Sequence, residues 1–343
     1  MLDSGAYTVS RSNRTIDIDK YAEFVKEHIK LFDNCLNLDV IQSGKKDLAE
    51  TAKGSYHNWK YLRQQGVNAI PVFHLGTDEK WLERYLKQTD YICIGAIANL
   101  DTSQRIKGLD RIWKDYLTDS NGMPKLKVHG LGLTALDIVL RYPWYSVDSS
   151  SPSITAGFGQ VYVPDITKKE PDYFNSFTMK VSDQANYPKS KMGHGARTFL
   201  GQPPTFQKKY RTLFQEHGFE LGDVTYQEIR ERRSKKHRID PPPTLFDLTR
   251  PSSNKETLAN GHMARYLWNL SVWREIMDRL PCYPRKLDID NLPGPNMEEG
   301  EKTTIYIAPV VITYVAASKG FDVLTSFAHV NDKFLKILKG LKT

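Results

Sequence analysis

Apolar positions in the first half of the chain repeat with two alternating periods. Tyr21, Phe24, Val25, Ile29 and Phe32 recur at helical spacing, and Asp19 precedes them as a helix cap. The apolar run 35–41 predicts a buried strand, and a helix over about residues 47–65 stops at Gly66. Residues 69–74 form the next strand, closed by Gly76. A helix through Trp81, Leu82, Tyr85 and Leu86 follows, then a strand over 91–95. Another helix lies around 105–117, before the strand 127–130. After the Gly132 turn and a short helix, a further apolar run ends at Asp148.

These strands are too apolar to have a solvent face, so they predict a parallel sheet of βα units. Polar residues or glycines recur where strands end: Asp3, Asp39, His74, Gly95, Gly130 and Asp148. In a barrel such ends converge on one mouth. No GxGxxG or P-loop marks an open nucleotide-binding sheet, so the pattern favours a (β/α)8 TIM-like barrel.

The rhythm breaks after Pro152. Residues 1–152 read as the N-terminal part of the barrel. Residues 153–255 read as a Pro/Tyr-rich, basic insertion, mostly helical where ordered, with helices near 206–217 and 225–235. Residues 256–343 read as a closing part. They hold a long amphipathic helix over 258–280, a strand at 304–308 and a final helix near 330–341.

Composition narrows the class. The 343 residues are 40% apolar with a mean hydropathy of −0.51, and no apolar run approaches a membrane span. Met1-Leu2-Asp3 does not open a signal peptide, so the chain is read as cytoplasmic with no membrane partner. Cys35, Cys93 and Cys282 are far apart and lack metal-ligand spacing. The net charge of +8 favours a polyanionic partner, because Lys and Arg gain affinity for phosphates by releasing counterions. Arg230, Arg232, Arg233, Lys235, Lys236 and Arg238 form one basic block, readable as a nucleic-acid contact or as a solvated linker.

Asp3 and Asp148 are the leading chemical candidates. Asp3 runs into the small-residue turn Ser4-Gly5-Ala6, and Asp148 into Ser149-Ser150-Ser151. Paired carboxylates suit a nucleophile plus a general acid/base at a glycosidic carbon. The same residues also suit a helix cap or an Asx turn.

Several segments resemble the tRNA-guanine (queuine) transglycosylases. Leu2-Asp3-Ser4-Gly5-Ala6-Tyr7 is similar to that family's Asp-Ser-Gly-Gly-Tyr/Phe signature. Val72-Phe73-His74-Leu75-Gly76 is similar to its Val-Gln-Gly-Gly strand end, and Ile92-Cys93-Ile94-Gly95-Ala96-Ile97-Ala98 to its Ile-Gly-Gly-Leu-Ala segment. His129-Gly130-Leu131-Gly132 resembles Met-Gly-Val-Gly, and Asp148-Ser149-Ser150-Ser151-Pro152 resembles the Asp-Cys-Val-x-Pro around the nucleophile. Gly261-His262 through Asn269-Leu270, with Met277-Asp278-Arg279, resembles the family's closing helix.

The resemblance implies a (β/α)8 barrel and a base-exchange reaction. Asp148 would attack the anomeric carbon of a guanosine and hold a covalent ester to the nucleic acid. Asp3 would act as general acid/base. Asp39 would bind the donor edge of the base and Tyr7 would stack on its face. His74, in place of the usual glutamine, would line the pocket with Gly95, Ala96, Ile97, Gly130 and Gly132. The base must leave the nucleic-acid stack to be reached.

The chain departs from that family in ways the resemblance also interprets. The Cys-x-Cys-x-x-Cys zinc cluster is missing, so no metal and no cofactor is expected. The Arg of Pro-Thr-Arg after the nucleophile is absent, because Ser153-Ile154 follow Pro152. The Asp-Ser-Gly signature begins at residue 3, where the family has a βα unit and most of a further strand before it. Either the chain's start lies upstream, the sequence is a fragment, or another segment completes the barrel. The missing zinc cluster, the compact Asp3-Ser4-Gly5-Ala6-Tyr7 entry and Ser146-Val147-Asp148-Ser149-Ser150-Ser151 resemble the phage and bacterial DNA-guanine transglycosylase branch. That branch implies exchange of guanine in DNA for a 7-deazaguanine base such as 7-cyano-7-deazaguanine, with DNA preferred over tRNA. Exchange on tRNA, a non-catalytic nucleic-acid-binding subunit and an unrelated (β/α)8 hydrolase remain as alternatives. A homodimer or a partner subunit is left open.

Overall fold

A computed structural model describes residues 1–10, 15–41, 48–95, 102–133, 135–182, 198–224, 256–290, 304–307 and 312–313. The chain divides into two compact units, one running Met1–Ser150 and resuming at Met277, the other Ser151–Ile276.

The first unit alternates strands and helices. Strand β1 (Leu2–Asp3) leads into helices α1 (Ala6–Ser10) and α2 (Ile18–His28). The α2 cap is Asp17 rather than the expected Asp19: the Asp17 side chain accepts the backbone N–H groups of Asp19 and Lys20 at 2.9 and 3.3 Å. Asp19 lies inside the first turn, where a negative charge complements the helix dipole. Helix α3 (Leu48–Gln64) ends ahead of Gly66, whose φ of +80° suits a glycine. Trp59 on α3 is buried and donates its indole N–H to Ala69 O at 2.9 Å, fixing the turn into the next strand.

The remaining elements of the series are β2 (Val72–His74), α4 (Lys80–Leu86), β3 (Tyr91–Gly95), α5 (Thr102–Ile112), β4 (Lys127–Gly130), α6 (Leu136–Arg141) and β5 (Ser146–Ser149). The five residues Trp113–Leu117 form a π-helical turn that continues α5. The expected strand 35–41 contributes only Cys35 and Leu36 to the ladder. Asn37 still donates its backbone N–H to Ile70 O at 2.9 Å, and beyond it Leu38 O and Val40 N–H bond to Asn58 Nδ2 and Ser55 Oγ on α3 in place of a strand partner.

Every pairing in this unit's sheet is parallel. β2, β3, β4 and β5 are consecutive neighbours, and β8 (Thr304–Ile307) adds beside β5. Leu36 bridges to Ile70 just ahead of β2, and Cys35 bridges to Leu2 of β1. β9 (Ile312–Thr313) pairs with the other side of β1, through Leu2↔Ile312 and Asp3↔Thr313. β5 and β1, the two ends of this succession, are therefore paired with β8 and β9 respectively.

Register then sorts the side chains. Met1, Leu36, Ile70, Val72, Tyr91 and Cys93 form one buried cluster, while Leu2, Cys35, Tyr21, Val25 and Leu62 form another with the helices. Side chains two positions apart on a strand share a face. Asp3 thus follows Met1, His74 follows Val72, Gly95 follows Cys93, and Asp148 follows Ser146 on the face away from the helices. Because all the strands are parallel, these residues also lie at one edge, the carboxyl ends.

The second unit differs from the mostly helical insertion expected. It starts with α7 (Ser151–Gly157) and continues into an antiparallel hairpin of β6 (Gln160–Asp165) and β7 (Asp172–Lys180). The alternation that signals it is Val161 and Val163, both buried, between half-buried Gln160 and Tyr162. Helices α8 (Pro204–Glu216) and α9 (His262–Asp278) complete the described part. The expected amphipathic helix over 258–280 is instead buried nearly all round. Arg265, Asn269 and Ser271 are buried along with Trp268, Val272 and Trp273. Their polar groups are matched to backbone: Asn269 Nδ2 donates to Pro152 O at 3.0 Å, and its Oδ1 accepts Tyr162 N–H at 2.8 Å. Arg265 donates to Ala156 O, Leu258 O and Ala259 O. Residues 225–235 and 330–341, expected as helices, lie outside the described residues.

Candidate active site

Asp3 occupies the last position of β1, where the chain turns sharply through Gly5 at φ +81°. The backbone N–H groups of Gly5 and Ser4 lie toward its carboxyl and favour the charged form. Burial, and then the negative charge of Asp39, nevertheless dominate its titration. With a smaller contribution from Asp148, they push the Asp3 carboxyl up to about 7.

Asp39 lies three residues beyond the Leu36 bridge and meets the end of β2. His74 Nε2 stands 2.7 Å from Asp39 Oδ2, with both side chains about nine-tenths covered, at 10% and 9% exposure. A carboxylate only accepts, so Nε2 carries the hydrogen and donates it. Gly95 makes this geometry possible: a Cβ there would lie 3.0 Å from His74 Cδ2 and 3.2 Å from Val72 Cγ1. Gly95 is therefore required by the close approach of the imidazole.

Asp148 is positioned by the glycine turn after β4. Gly132, at φ +63°, donates its backbone N–H to Asp148 Oδ1 at 2.6 Å. His129 Nε2 faces the same oxygen at 3.4 Å, from a ring with no exposed surface. The Asp148 side chain is 23% exposed, and its Oδ2 takes no hydrogen bond from a described residue. Gly130 has a different task. A Cβ on it would come 2.9 Å from Leu133 Cδ2 and 3.2 Å from Trp144 Cζ3, so it is needed where the turn packs on the Trp144 ring.

Behind His129 lies a line of hydroxyls that sequence reasoning did not single out. Ser146 Oγ is 2.8 Å from His129 Nδ1 and 2.8 Å from the Tyr91 hydroxyl. The signal was present in the strand pattern, because two buried strands that pair side by side each carry a polar residue, His129 and Ser146, at the paired position. Cys93, one strand away, shares this environment. Burial first, then the charges of Asp148, Asp39 and Asp3, push its thiol well up.

The structure thus brings Asp3, Asp39, His74, Gly95, Gly132 and Asp148 to one face and one edge of the sheet. Tyr7 sits on α1 and is 55% exposed. Ala96 and Ile97 lie outside the described residues, as do Arg230, Arg232, Arg233, Lys235, Lys236 and Arg238. Among the described residues no group of three or more His, Cys, Asp or Glu is placed to hold a metal ion. No described helix is long and apolar enough to cross a membrane. Comparison with protein-family models and with curated proteins returns no match for this chain.

Proposed function

We propose that this protein exchanges guanine in a nucleic acid, DNA in preference to tRNA, for a 7-deazaguanine base. The observation that carries the reading is the placement of Asp3, Asp39 and Asp148 at one strand edge, with one of the three titrating near neutrality. Carboxyl ends of parallel strands are where α/β folds place their chemistry.

In this reading Asp148 Oδ2 attacks the anomeric carbon while Gly132 N–H holds Oδ1 and His129 Nε2 faces it. The bond from that carbon to guanine N9 breaks, its electron pair leaves with the base, and Asp3 delivers its proton to the departing guanine. The incoming 7-deazaguanine then returns a proton from its N9 to Asp3, and its nitrogen displaces the Asp148 ester. Protons and charge balance over the cycle. A general acid/base works best with a value near the operating pH, and Asp3 at about 7 fits both halves. Asp39, with Oδ2 committed to His74, presents Oδ1 to the N–H edge of a guanine-like base.

The barrel belongs to the same proposal. From β8 through β5, β4, β3, β2, the Leu36 and Cys35 bridges and β1 to β9 there are seven strand spacings. Laid flat at ~4.8 Å each, they would separate β8 from β9 by roughly 34 Å. The covalent chain from Ile307 to Ile312 reaches at most about 18 Å. That difference supports a sheet rolled until its edges meet. The C-terminal segment would complete the circle beside β1, the place where the family resemblance implies a preceding unit.

The test is exchange of labelled guanine, with DNA and tRNA offered separately. Incorporation into DNA is expected. Release of free base without incorporation would replace the proposal with a hydrolase.

A further inference from the structure

Tyr91, Ser146 and His129 form a hydrogen-bonded line whose far end, His129 Nε2, faces Asp148 Oδ1 at 3.4 Å, and the Tyr91 and Ser146 end of it has no part in the reaction as written. We infer that His129 is a positioning residue for Asp148, held in its Nε2–H tautomer by the hydroxyls of Ser146 and Tyr91. For the rate of exchange this rests on the proposed function; for the tautomer it rests on geometry alone.

The polarity of the line follows from counting hydrogens. Were Nδ1 protonated on a neutral ring, it would donate to Ser146 Oγ, and the Nε2 lone pair would face the Asp148 carboxylate oxygen at 3.4 Å. Two lone pairs would then oppose each other in a buried place, an arrangement that costs the desolvation of both. In the opposite polarity both hydroxyls and Nδ1 are matched and no two lone pairs oppose each other. The Tyr91 hydroxyl donates to Ser146 Oγ, and Ser146 donates to His129 Nδ1. Nε2 then turns its N–H to Asp148 Oδ1. Strand register builds the line, since His129 pairs with Ser146 across β4 and β5, and Asp148 shares their face two residues on.

The consequence is directional. With Gly132 N–H, the imidazole N–H fixes Oδ1, so the carboxylate presents Oδ2 outward in one orientation. Neither Ser146 nor Tyr91 touches a reacting atom in this scheme. Their removal should slow formation of the covalent bond while leaving base affinity unchanged.

Imidazole ¹⁵N NMR on the full chain labelled at histidine reads the tautomer directly, with the resonance assigned by its loss in His129→Gln. The expected result is a protonated Nε2 and a hydrogen-bonded Nδ1 that shifts in Ser146→Ala. A protonated Nδ1, or an Nδ1 resonance unmoved in Ser146→Ala, would overturn the inference. In exchange assays Ser146→Ala should lower kcat roughly tenfold, the loss of one hydrogen bond in a charged pair, with KM for the base changed by less than about twofold. His129→Gln, which can still offer an N–H near the Nε2 position, should keep more activity than His129→Phe. A rise in KM at unchanged kcat would overturn the positioning role. If the wild-type protein exchanges no base, the proposed function fails while the NMR result still decides the tautomer.

Discussion

Gly132 donates its backbone N–H to Asp148 Oδ1 over 2.6 Å, from a left-handed conformation at φ +63°. The glycine turn and the carboxylate are thus one unit, built across neighbouring strands. A Cβ at Gly132 would meet nothing within 4 Å, so the position is restricted by backbone conformation and not by crowding. Gly132→Ala should cost ~1 kcal/mol in chemical denaturation. It should slow base exchange by more than that loss of stability accounts for, because the N–H moves away from Asp148. Unchanged exchange would separate the turn from the chemistry.

Asp3 links the site to stability through pH. With its value raised from 3.8 to about 7 by burial and by Asp39, the folded protein holds a proton in that window that the unfolded chain has released. Stability from this group is therefore lost as pH rises from 4 to 7. Asp3→Asn, which keeps an acceptor for the Gly5 and Ser4 N–H groups, should match the wild type near pH 4. By pH 8 it should exceed the wild type by up to about 4 kcal/mol. Thermal unfolding across that range checks it, and a difference independent of pH would refute it.

Gly95 leaves room for His74. In Gly95→Ala the new methyl would sit 3.0 Å from the imidazole, which must tilt and lengthen its 2.7 Å bond to Asp39. A loss of about 1–2 kcal/mol in stability is expected, typical of mild overpacking. Binding of free 7-deazaguanine should weaken by a larger factor, measurable by calorimetry. Unaltered binding would remove the Asp39–His74 pair from base recognition.

In the second unit, Asn269 on α9 bonds the backbone of Pro152 and of β6 from a fully buried position. Asn269→Ala would leave those groups unmatched and should cost about 2–4 kcal/mol in equilibrium unfolding. A near-neutral effect would mean that the second unit does not depend on this helix.

The strand ends were readable because parallel βα units concentrate apolar residues in short runs and stop them at polar residues or glycine. Residues 91–95 and 127–130 appear in the structure with the expected limits. The cap of α2 was misread because Asp17 and Asp19 are both acidic, and only the geometry shows which side chain turns back to the N–H groups. α9 was misread for a different reason. Polar residues normally mark a solvent face, yet Arg265 and Asn269 are buried against backbone groups that include distant segments, and Ser271 turns back to Trp268 O of its own helix. The site showed the same division. Asp3, Asp39, His74 and Asp148 stood out as strand-end residues, whereas Ser146 gains meaning only from the register that sets it beside His129, and Tyr91 only from its hydroxyl contact with Ser146.

The central claim is that Asp148 forms a covalent bond to a guanosine carbon. Guanine-containing DNA incubated with the protein and then denatured should retain a protein–DNA adduct mapping to Asp148. The adduct should be absent in Asp148→Asn and should resolve when a 7-deazaguanine base is added. Full base exchange by Asp148→Ala, with no adduct in the wild type, would contradict the account.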